Sequence, residues 1–104
     1  MNCAAVIVVA GEALARMPTD VDLANAAIIG VQLDSAVPRD AGGLTVDLSS
    51  TRYIDSAGID MLLRLAERLH WRRQTLQLFV AKGSHLARLL RIAGLEASLT
   101  IRDA

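Results

Sequence analysis

The chain has 104 residues, a length that favours one domain able to bury a core without help from disulfides or metal. Cys3 is the only cysteine, which excludes an internal disulfide and a cysteine-based zinc site, and no uncharged apolar run approaches the roughly 20 residues of a membrane helix. Residues 1–51 contain two basic and six acidic residues, and residues 52–104 contain nine basic and five acidic residues. The basic residues are not interleaved with aromatic residues, as they would be in a surface that binds single-stranded nucleic acid.

The first element is the apolar run "AAVIVVAG", residues 4–11, which predicts a buried strand. Its centre resembles the apolar part of a signal peptide, but no Lys or Arg precedes it, so the sequence favours a cytoplasmic protein over an exported one. Between Gly11 and Asp22 no period is clear, and Met17-Pro18-Thr19-Asp20 indicates a turn. Residues 11–22 therefore carry no predicted strand or helix.

Helical and strand patterns alternate over the next part of the chain. A helix is predicted from Ala26 to Ala36, with Asn25 as its N-cap and an end before Pro38, because proline disfavours helical geometry at the residue ahead of it. The run "GLTVDLS", residues 43–49, predicts a second strand. A longer helix follows from Ala57 to Trp71.

That longer helix has the clearest period of the chain. Its charged residues lie on one face, where Asp60 and Arg64 are four apart with the acid first and are placed to form an ion pair. The predicted inner stripe consists of Ile59, Leu62, Leu63, Ala66 and Leu69.

Three further elements complete the pattern. "LQLFVAKG", residues 76–83, predicts a strand, and "SHLARLLRIAGL" predicts a helix with Ser84 as N-cap and Gly94 as left-handed end. The short "ASLTI", residues 97–101, predicts a last strand. The inner stripe of the helix consists of Leu86, Leu89, Leu90 and Ala93. This alternation predicts an α/β domain over residues 1–104, with a mostly parallel central sheet, an N-terminal edge strand and about three amphipathic helices.

The stretch "TRYIDSAGID", Thr51 to Asp60, lies where a strand passes into the longest helix, the edge of an α/β sheet where ligands and partners bind. A hydrolase nucleophile would need G-x-S-x-G, but Ile54 occupies the place of the first glycine and no base lies near Ser56 in sequence. Gly58 is the only glycine in the turn, which excludes a phosphate-cradling loop. The histidines, His70 and His85, are too far apart to form a metal site alone. No enzyme activity, cofactor or metal is therefore predicted.

Two interpretations of the turn remain open on these residues alone. Asp55 or Ser56 can accept a hydrogen bond from the first free amides of the helix, which is worth about 1 kcal/mol. Gly58 costs up to about 1 kcal/mol against alanine in a helix, and together with Ala57 it clears bulk from around Ser56. The turn is therefore either a plain helix cap or a place that another molecule approaches closely.

A family resemblance bears on this choice. Residues 47–49 are Asp-Leu-Ser at the end of a predicted strand. A few residues later the chain has an apolar residue, the pattern D-S-x-G and a second apolar residue at the start of the helix. These positions are Ile54, Asp55, Ser56, Gly58 and Ile59. This pattern resembles the central motif of the STAS domain, the fold of bacterial anti-sigma factor antagonists. The resemblance covers about residues 43–95, because the next strand and a helix ending in Gly-Leu also match.

The resemblance implies a regulatory switch. In that family the serine after the aspartate is phosphorylated by the partner anti-sigma factor, a serine kinase, and a phosphatase restores it; that serine is Ser56 here. The unphosphorylated protein binds the kinase and so frees a sigma factor for transcription. The implied partner surface consists of Asp55, Ser56, Ala57, Gly58 and Asp60, with Asp55 orienting the turn. The resemblance implies no direct contact with nucleic acid and no membrane insertion.

Two other functions are compatible with the same motif. One is a STAS subunit of a membrane lipid or anion transporter complex, where the turn docks on another protein without phosphorylation, although such relatives tend to carry Thr at the position of Ser56. The other is a nucleotide-binding sensory module, which the absence of a glycine-rich loop disfavours. Residues 11–22 depart from the family, because an extra stretch separates Gly11-Glu12-Ala13-Leu14 from the first helix.

Overall fold

The computed structural model describes residues 5–9 and 12–103, with side chains from residue 12 onward. The strands are β1 (Ala5–Val9), β2 (Glu12–Arg16), β3 (Asp20–Val21), β4 (Gly43–Asp47), β5 (Tyr53–Ile54), β6 (Thr75–Val80) and β7 (Thr100–Asp103). The helices are α1 (Ala26–Ala36), α2 (Ser56–Trp71) and α3 (His85–Ile92), and a short 3-10 helix covers Leu95–Ala97.

The main sheet contains five strands in the order β1-β2-β4-β6-β7. β1 lies at one edge and pairs antiparallel with β2, whereas every other neighbouring pair is parallel. The predicted mostly parallel sheet with an N-terminal edge strand is therefore confirmed. Because β2, β4, β6 and β7 lie side by side in chain order, their right-handed crossovers bring α1, α2 and α3 to the same face of the sheet.

The core lies between that face of the sheet and the helices. Along β4, Leu44 and Val46 are buried under the helices, while Thr45 between them is only half-buried on the other face. β6 repeats the alternation. The fully buried helical residues that meet this face include Ile29, Leu33, Leu62, Leu65, Leu69 and Leu90.

The segment without a predicted element, residues 11–22, contains two strands. β2 pairs with both β1 and β4, and its burial alternates, with Ala13 and Ala15 inside and Leu14 on the opposite face. The inward residues are the small ones and the large apolar residue faces out, so the pattern of hydropathy does not reveal the strand. Gly11 lies outside the described residues.

The predicted bounds of α1 and α2 agree with the structure within one residue, and the N-cap residue of α1 is Asn25 as predicted. Asn25 occupies the N-cap position without a side-chain bond to the helix amides. Its Oδ1 accepts from the Asp22 amide at 2.9 Å and its Nδ2 donates to the Asp20 carbonyl at 2.8 Å. Asn25 thus binds the loop before the helix.

The buried stripe of α2 is rotated about the helix axis relative to the predicted one. Leu62, Ala66 and Leu69 are buried as expected, whereas Ile59 and Leu63 are half-buried at the edge of the core. Met61 and Leu65 are buried instead, because α2 packs against α1 as well as against the sheet.

The ends of α3 agree with the prediction, since Ser84 Oγ accepts from the Ala87 amide at 3.1 Å and Gly94 has a φ of 82°. Ala93 is exposed and does not belong to the predicted stripe, because the helix ends at Ile92 and Leu95 enters the core from the following 3-10 helix. The last strand begins at Thr100, three residues later than expected, because the 3-10 helix occupies Leu95–Ala97.

Candidate functional site

The chain before α2 is fixed by backbone hydrogen bonds to the segment before α1. β5 pairs in parallel with β3, and the Asp55 amide donates to the Val21 carbonyl at 3.1 Å. The amides of Arg52 and Tyr53 both donate to the Thr19 carbonyl, at 2.8 and 3.2 Å. This small second sheet holds the turn at the carboxyl edge of the main sheet.

The N-cap of α2 is Asp55. Its Oδ1 accepts from the amides of Ala57 at 2.9 Å and Gly58 at 3.1 Å, and its backbone carbonyl accepts from the Ile59 amide. Its Oδ2 accepts from the Leu23 amide at 3.1 Å. The same carboxylate therefore caps one helix and binds the segment that leads into another, so Asp55 and not Ser56 provides the cap that the sequence left undecided.

Ser56 is the first residue of α2 and is exposed. Within residues 12–103, no hydrogen bond involves its hydroxyl, so this hydroxyl neither caps the helix nor contacts a base. Neighbouring hydroxyls differ. Thr51 is buried and donates to the Pro18 carbonyl at 2.8 Å, and Ser49 donates to Asp47 Oδ1 at 2.6 Å. Ser56 thus combines exposure with a hydroxyl that is not engaged elsewhere.

Gly58 is buried, and packing explains why a glycine is needed there. A Cβ at this position would lie 2.6 Å from Ile54 Cγ1, 2.9 Å from Val21 Cγ1 and 3.0 Å from the Val21 carbonyl oxygen. Cβ atoms in proteins essentially never come within 3.0 Å of another atom, so the contacts with Ile54 and Val21 Cγ1 exclude a side chain here unless these atoms shift. The close approach that the sequence indicated at this residue is therefore that of β3 and β5 against α2.

The remaining residues of the predicted partner surface lie on the outside of α2. Ala57 is half-buried and Asp60 is exposed one turn further along. Asp60 Oδ2 accepts a hydrogen bond from Arg64 Nε at 2.8 Å, which raises the pKa of the Arg64 guanidinium, with the carboxylate charge adding to the effect. Asp55, Ser56, Ala57 and Asp60 are thus brought together on one surface, with Gly58 beneath it.

A groove of about 370 Å³ between α1 and α2 begins beside this surface. It was not predicted from the sequence. Leu23 and Val31 border it and are 83% and 68% exposed. On its other side lie Arg64 and Arg68 of α2. One sequence feature could have indicated this groove. The outer face of α1 carries Ala27, Ile28 and Val31, whereas the outer face of an amphipathic helix usually carries polar residues.

Among the described residues, no histidine or carboxylate side chain forms a hydrogen bond with the Ser56 hydroxyl. His70 lies fourteen residues along α2, about 21 Å from Ser56 at the rise of an α-helix. Among the described residues, no group of three His, Cys, Asp or Glu side chains is placed to hold a metal ion. Within residues 5–9 and 12–103, no helix has the length and apolar character needed to cross a membrane.

Comparisons with known proteins agree with this geometry. A family model described as "Mlab, STAS domain" matches residues 6–102. The curated proteins contain no match to the chain. Among solved structures, an anti-sigma factor antagonist from Mycobacterium paratuberculosis is 17% identical and superimposes with a TM-score of 0.82, over 97% of this chain and 85% of that one.

Two further structures are similar to the chain. A putative anti-sigma factor antagonist from Thermotoga maritima is 15% identical, with a TM-score of 0.75 over 97% of this chain and 86% of that one. The Bacillus cell fate determinant SpoIIAA in its phosphorylated form is 17% identical, with a TM-score of 0.72 over 97% of this chain and 90% of that one. At these identities the likeness establishes the shared fold.

Proposed function

Because the chain belongs to the STAS domain family, we propose that it is an anti-sigma factor antagonist switched by phosphorylation of Ser56. Without phosphate it binds an anti-sigma factor serine kinase, and a sigma factor is thereby released for transcription. A phosphatase returns the modified protein to the binding form. The protein acts in the cytoplasm as a regulator, with no catalysis of its own, no cofactor and no direct contact with nucleic acid or membrane.

The observation that carries the proposal is the separation of roles between Asp55 and Ser56. Asp55 makes the hydrogen bonds that start α2, so the exposed Ser56 hydroxyl can be modified without loss of the cap. Here the fold and the modification do not compete for the same oxygen.

The position of the cap also explains how a phosphate would act on a partner. The amides of Ala57 and Gly58 already donate to Asp55, so a phosphate on Ser56 would not find these donors free. The helix dipole tolerates an anion at this end, and the fold should survive. The added charge of about −1.5 to −2 would instead face a partner beside the Asp55 carboxylate. Desolvating both anions together would weaken the complex.

The relatives support the same function. The structure from Mycobacterium paratuberculosis is of an anti-sigma factor antagonist, and SpoIIAA has been solved both unphosphorylated and phosphorylated. We assign the partner contact to Asp55, Ser56, Ala57 and Asp60, which share one surface, while Gly58 supports them from below.

The test is the affinity for a purified anti-sigma factor serine kinase, measured by calorimetry with and without ATP. Wild type and Ser56→Ala should both bind, and ATP should release the wild type only. Ser56→Asp should bind more weakly than Ser56→Ala while melting at a similar temperature. Equal affinity of the acidic and alanine variants, with no effect of ATP on the wild-type complex, would contradict the switch.

A second candidate is a non-phosphorylated STAS subunit of a membrane lipid or anion transporter complex. The exposed apolar side chains of α1 beside the turn favour it, since lasting subunit contacts are more apolar than switched ones. In that case Ser56→Ala and wild type would bind a transporter subunit equally, and ATP with a kinase would leave the complex intact.

A further inference from the structure

The groove between α1 and α2 has two walls of different chemistry. The α1 wall is apolar and is formed by Leu23, Ala27 and Val31, of which Leu23 and Val31 are mostly exposed. The α2 wall carries Arg64 and Arg68, four residues apart on the outer face of the helix, and Asp60 one turn before Arg64. Leu23 lies just before α1 and Val31 lies on the helix, and because monomeric proteins seldom leave large apolar side chains grouped on their surface, the grouping indicates a contact surface.

The arginines of the α2 wall retain donors for a partner. Arg64 is 69% exposed and uses its Nε on Asp60, and the Nε of Arg68 lies 3.6 Å from Asp34 Oδ2. A guanidinium has five N–H donors, so each arginine can bind a further carboxylate. Two arginines against the one carboxylate of Asp60 leave this wall with an excess of positive charge, so a ligand that fits both walls presents apolar groups on one side and acidic groups on the other.

The length of the groove defines the shape of that ligand. Its α2 wall runs from Ala57 to Arg68, about 16 Å at the helical rise, or three turns. A partner helix that packs between two helices of this length presents apolar residues at positions i, i+3 or i+4 and i+7. Acidic residues beside that stripe, on the side of the partner helix that faces α2, would meet the arginines.

We propose that this α1–α2 groove binds an amphipathic helix of a protein partner, with the apolar stripe of that helix against α1 and an acidic flank against Arg64 and Arg68. The groove extends the partner surface around Ser56, and in this sense it rests on the proposed function. Binding in the groove requires no phosphorylation of Ser56. The proposal therefore adds a contact to the partner interface and leaves the proposed switch unchanged.

A lipid surface fits the same residues less well. Leu23, the most exposed of these apolar side chains, follows Asp22, and its amide binds the Asp55 carboxylate. Insertion of Leu23 into a bilayer would bring both carboxylates to the membrane, which is unfavourable at an anionic surface. A protein helix can avoid these acids by its choice of residues at that end.

The test is selection of displayed helical peptides of about 14 residues on the folded protein, with all outward positions randomised. The selected peptides should share an apolar stripe with a flank of Asp or Glu. The affinity of a selected peptide, measured by fluorescence anisotropy, should fall at least about tenfold in Val31→Glu and in Leu23→Glu. It should also fall in Arg64→Glu, and peptides whose acidic flank is changed to Lys should regain binding to that variant. Ile92→Glu is the matched control, because Ile92 is a 77% exposed apolar residue on α3 and should change affinity less than about twofold.

Several results would overturn the proposal. These are no enrichment of peptides, selection of basic flanks, and binding that survives both Val31→Glu and Leu23→Glu in variants with a normal thermal melt. Binding to vesicles of phosphatidylcholine with roughly 30% phosphatidylglycerol, lost in the same variants, would assign the face to a lipid surface instead. Release of the kinase by ATP is measured without any peptide, so failure of the groove and failure of the Ser56 switch are separate outcomes.

Discussion

The Asp55 carboxylate accepts a hydrogen bond from the Leu23 amide at 3.1 Å, across 32 residues of sequence. The other oxygen of the same carboxylate caps α2. One side chain thus fixes the entry to α1 relative to the start of α2, and the serine beside it has no part in that bond.

The first prediction separates these two neighbours by their effect on stability. Asp55→Ala should lower the free energy of unfolding by about 2 kcal/mol, because it removes a cap and a charged hydrogen bond to Leu23. Ser56→Ala should change it by less than about 0.5 kcal/mol, since no hydrogen bond of the Ser56 hydroxyl is lost. Urea titrations of both variants give the comparison, and equal losses would mean that Ser56 shares the capping role.

The second prediction concerns Gly58. Gly58→Ala should destabilise the protein by about 1–3 kcal/mol, because the new methyl group would collide with Ile54 and Val21. Helix propensity alone predicts the opposite sign, a gain of up to about 1 kcal/mol. The control is Gly42→Ala, since a Cβ there meets nothing within 4 Å. A stabilised Gly58→Ala variant in thermal melts would show that α2 does not pack so closely on β3 and β5.

The third prediction tests the rotation of α2 about its axis. Leu65→Ala should lose about 2–5 kcal/mol, as expected for a fully buried leucine, and Leu63→Ala should lose clearly less because it lies at the edge of the core. Arg64→Ala should lose the least, because its pair with Asp60 is exposed to solvent. Chemical denaturation should give losses of unfolding free energy that decrease in the order Leu65, Leu63, Arg64. A larger loss for Leu63 than for Leu65 would mean that α2 turns Leu63 towards the core, as the sequence predicted.

The fourth prediction is chemical. Incubation with an anti-sigma factor kinase and ATP should add one phosphate, at Ser56, as read by intact and peptide mass spectrometry. Thr51 should remain unmodified because its side chain is buried and bonded to Pro18, and Ser49 is bonded to Asp47. Phosphate on Thr51, Ser49 or Ser50 with Ser56 bare would remove the basis of the proposed switch.

The sequence predicted most of the fold, because strong local periods and turn residues specify its larger elements. The STAS family and the mostly parallel sheet are both confirmed. β2 was missed, since its inward residues are Ala13 and Ala15 and its largest apolar residue, Leu14, faces outward. The two-residue strands β3 and β5 are held by contacts between distant segments, which no local pattern records.

The sequence picks out the turn before α2 as the candidate site but does not decide which of its residues caps the helix. Asp55 and Ser56 are both common N-cap residues, and the choice between them depends on backbone angles and on the distant Leu23 amide. The sequence related Gly58 to the space around Ser56, and only the positions of Val21 and Ile54 reveal that packing requires a glycine there. The groove between α1 and α2 needs both helices in place before its walls can be recognised.

The small sheet formed by β3 and β5 determines what a modifying enzyme must recognise. Because Arg52, Tyr53 and Asp55 donate their amides to the segment before α1, the residues around Ser56 cannot straighten into an extended substrate without breaking that sheet. A kinase that acts on Ser56 must therefore accept the serine already folded into the first turn of a helix. A free peptide copying residues 50–60 would lack that shape and would be a poor substrate, so recognition depends on the folded surface more than on the local sequence.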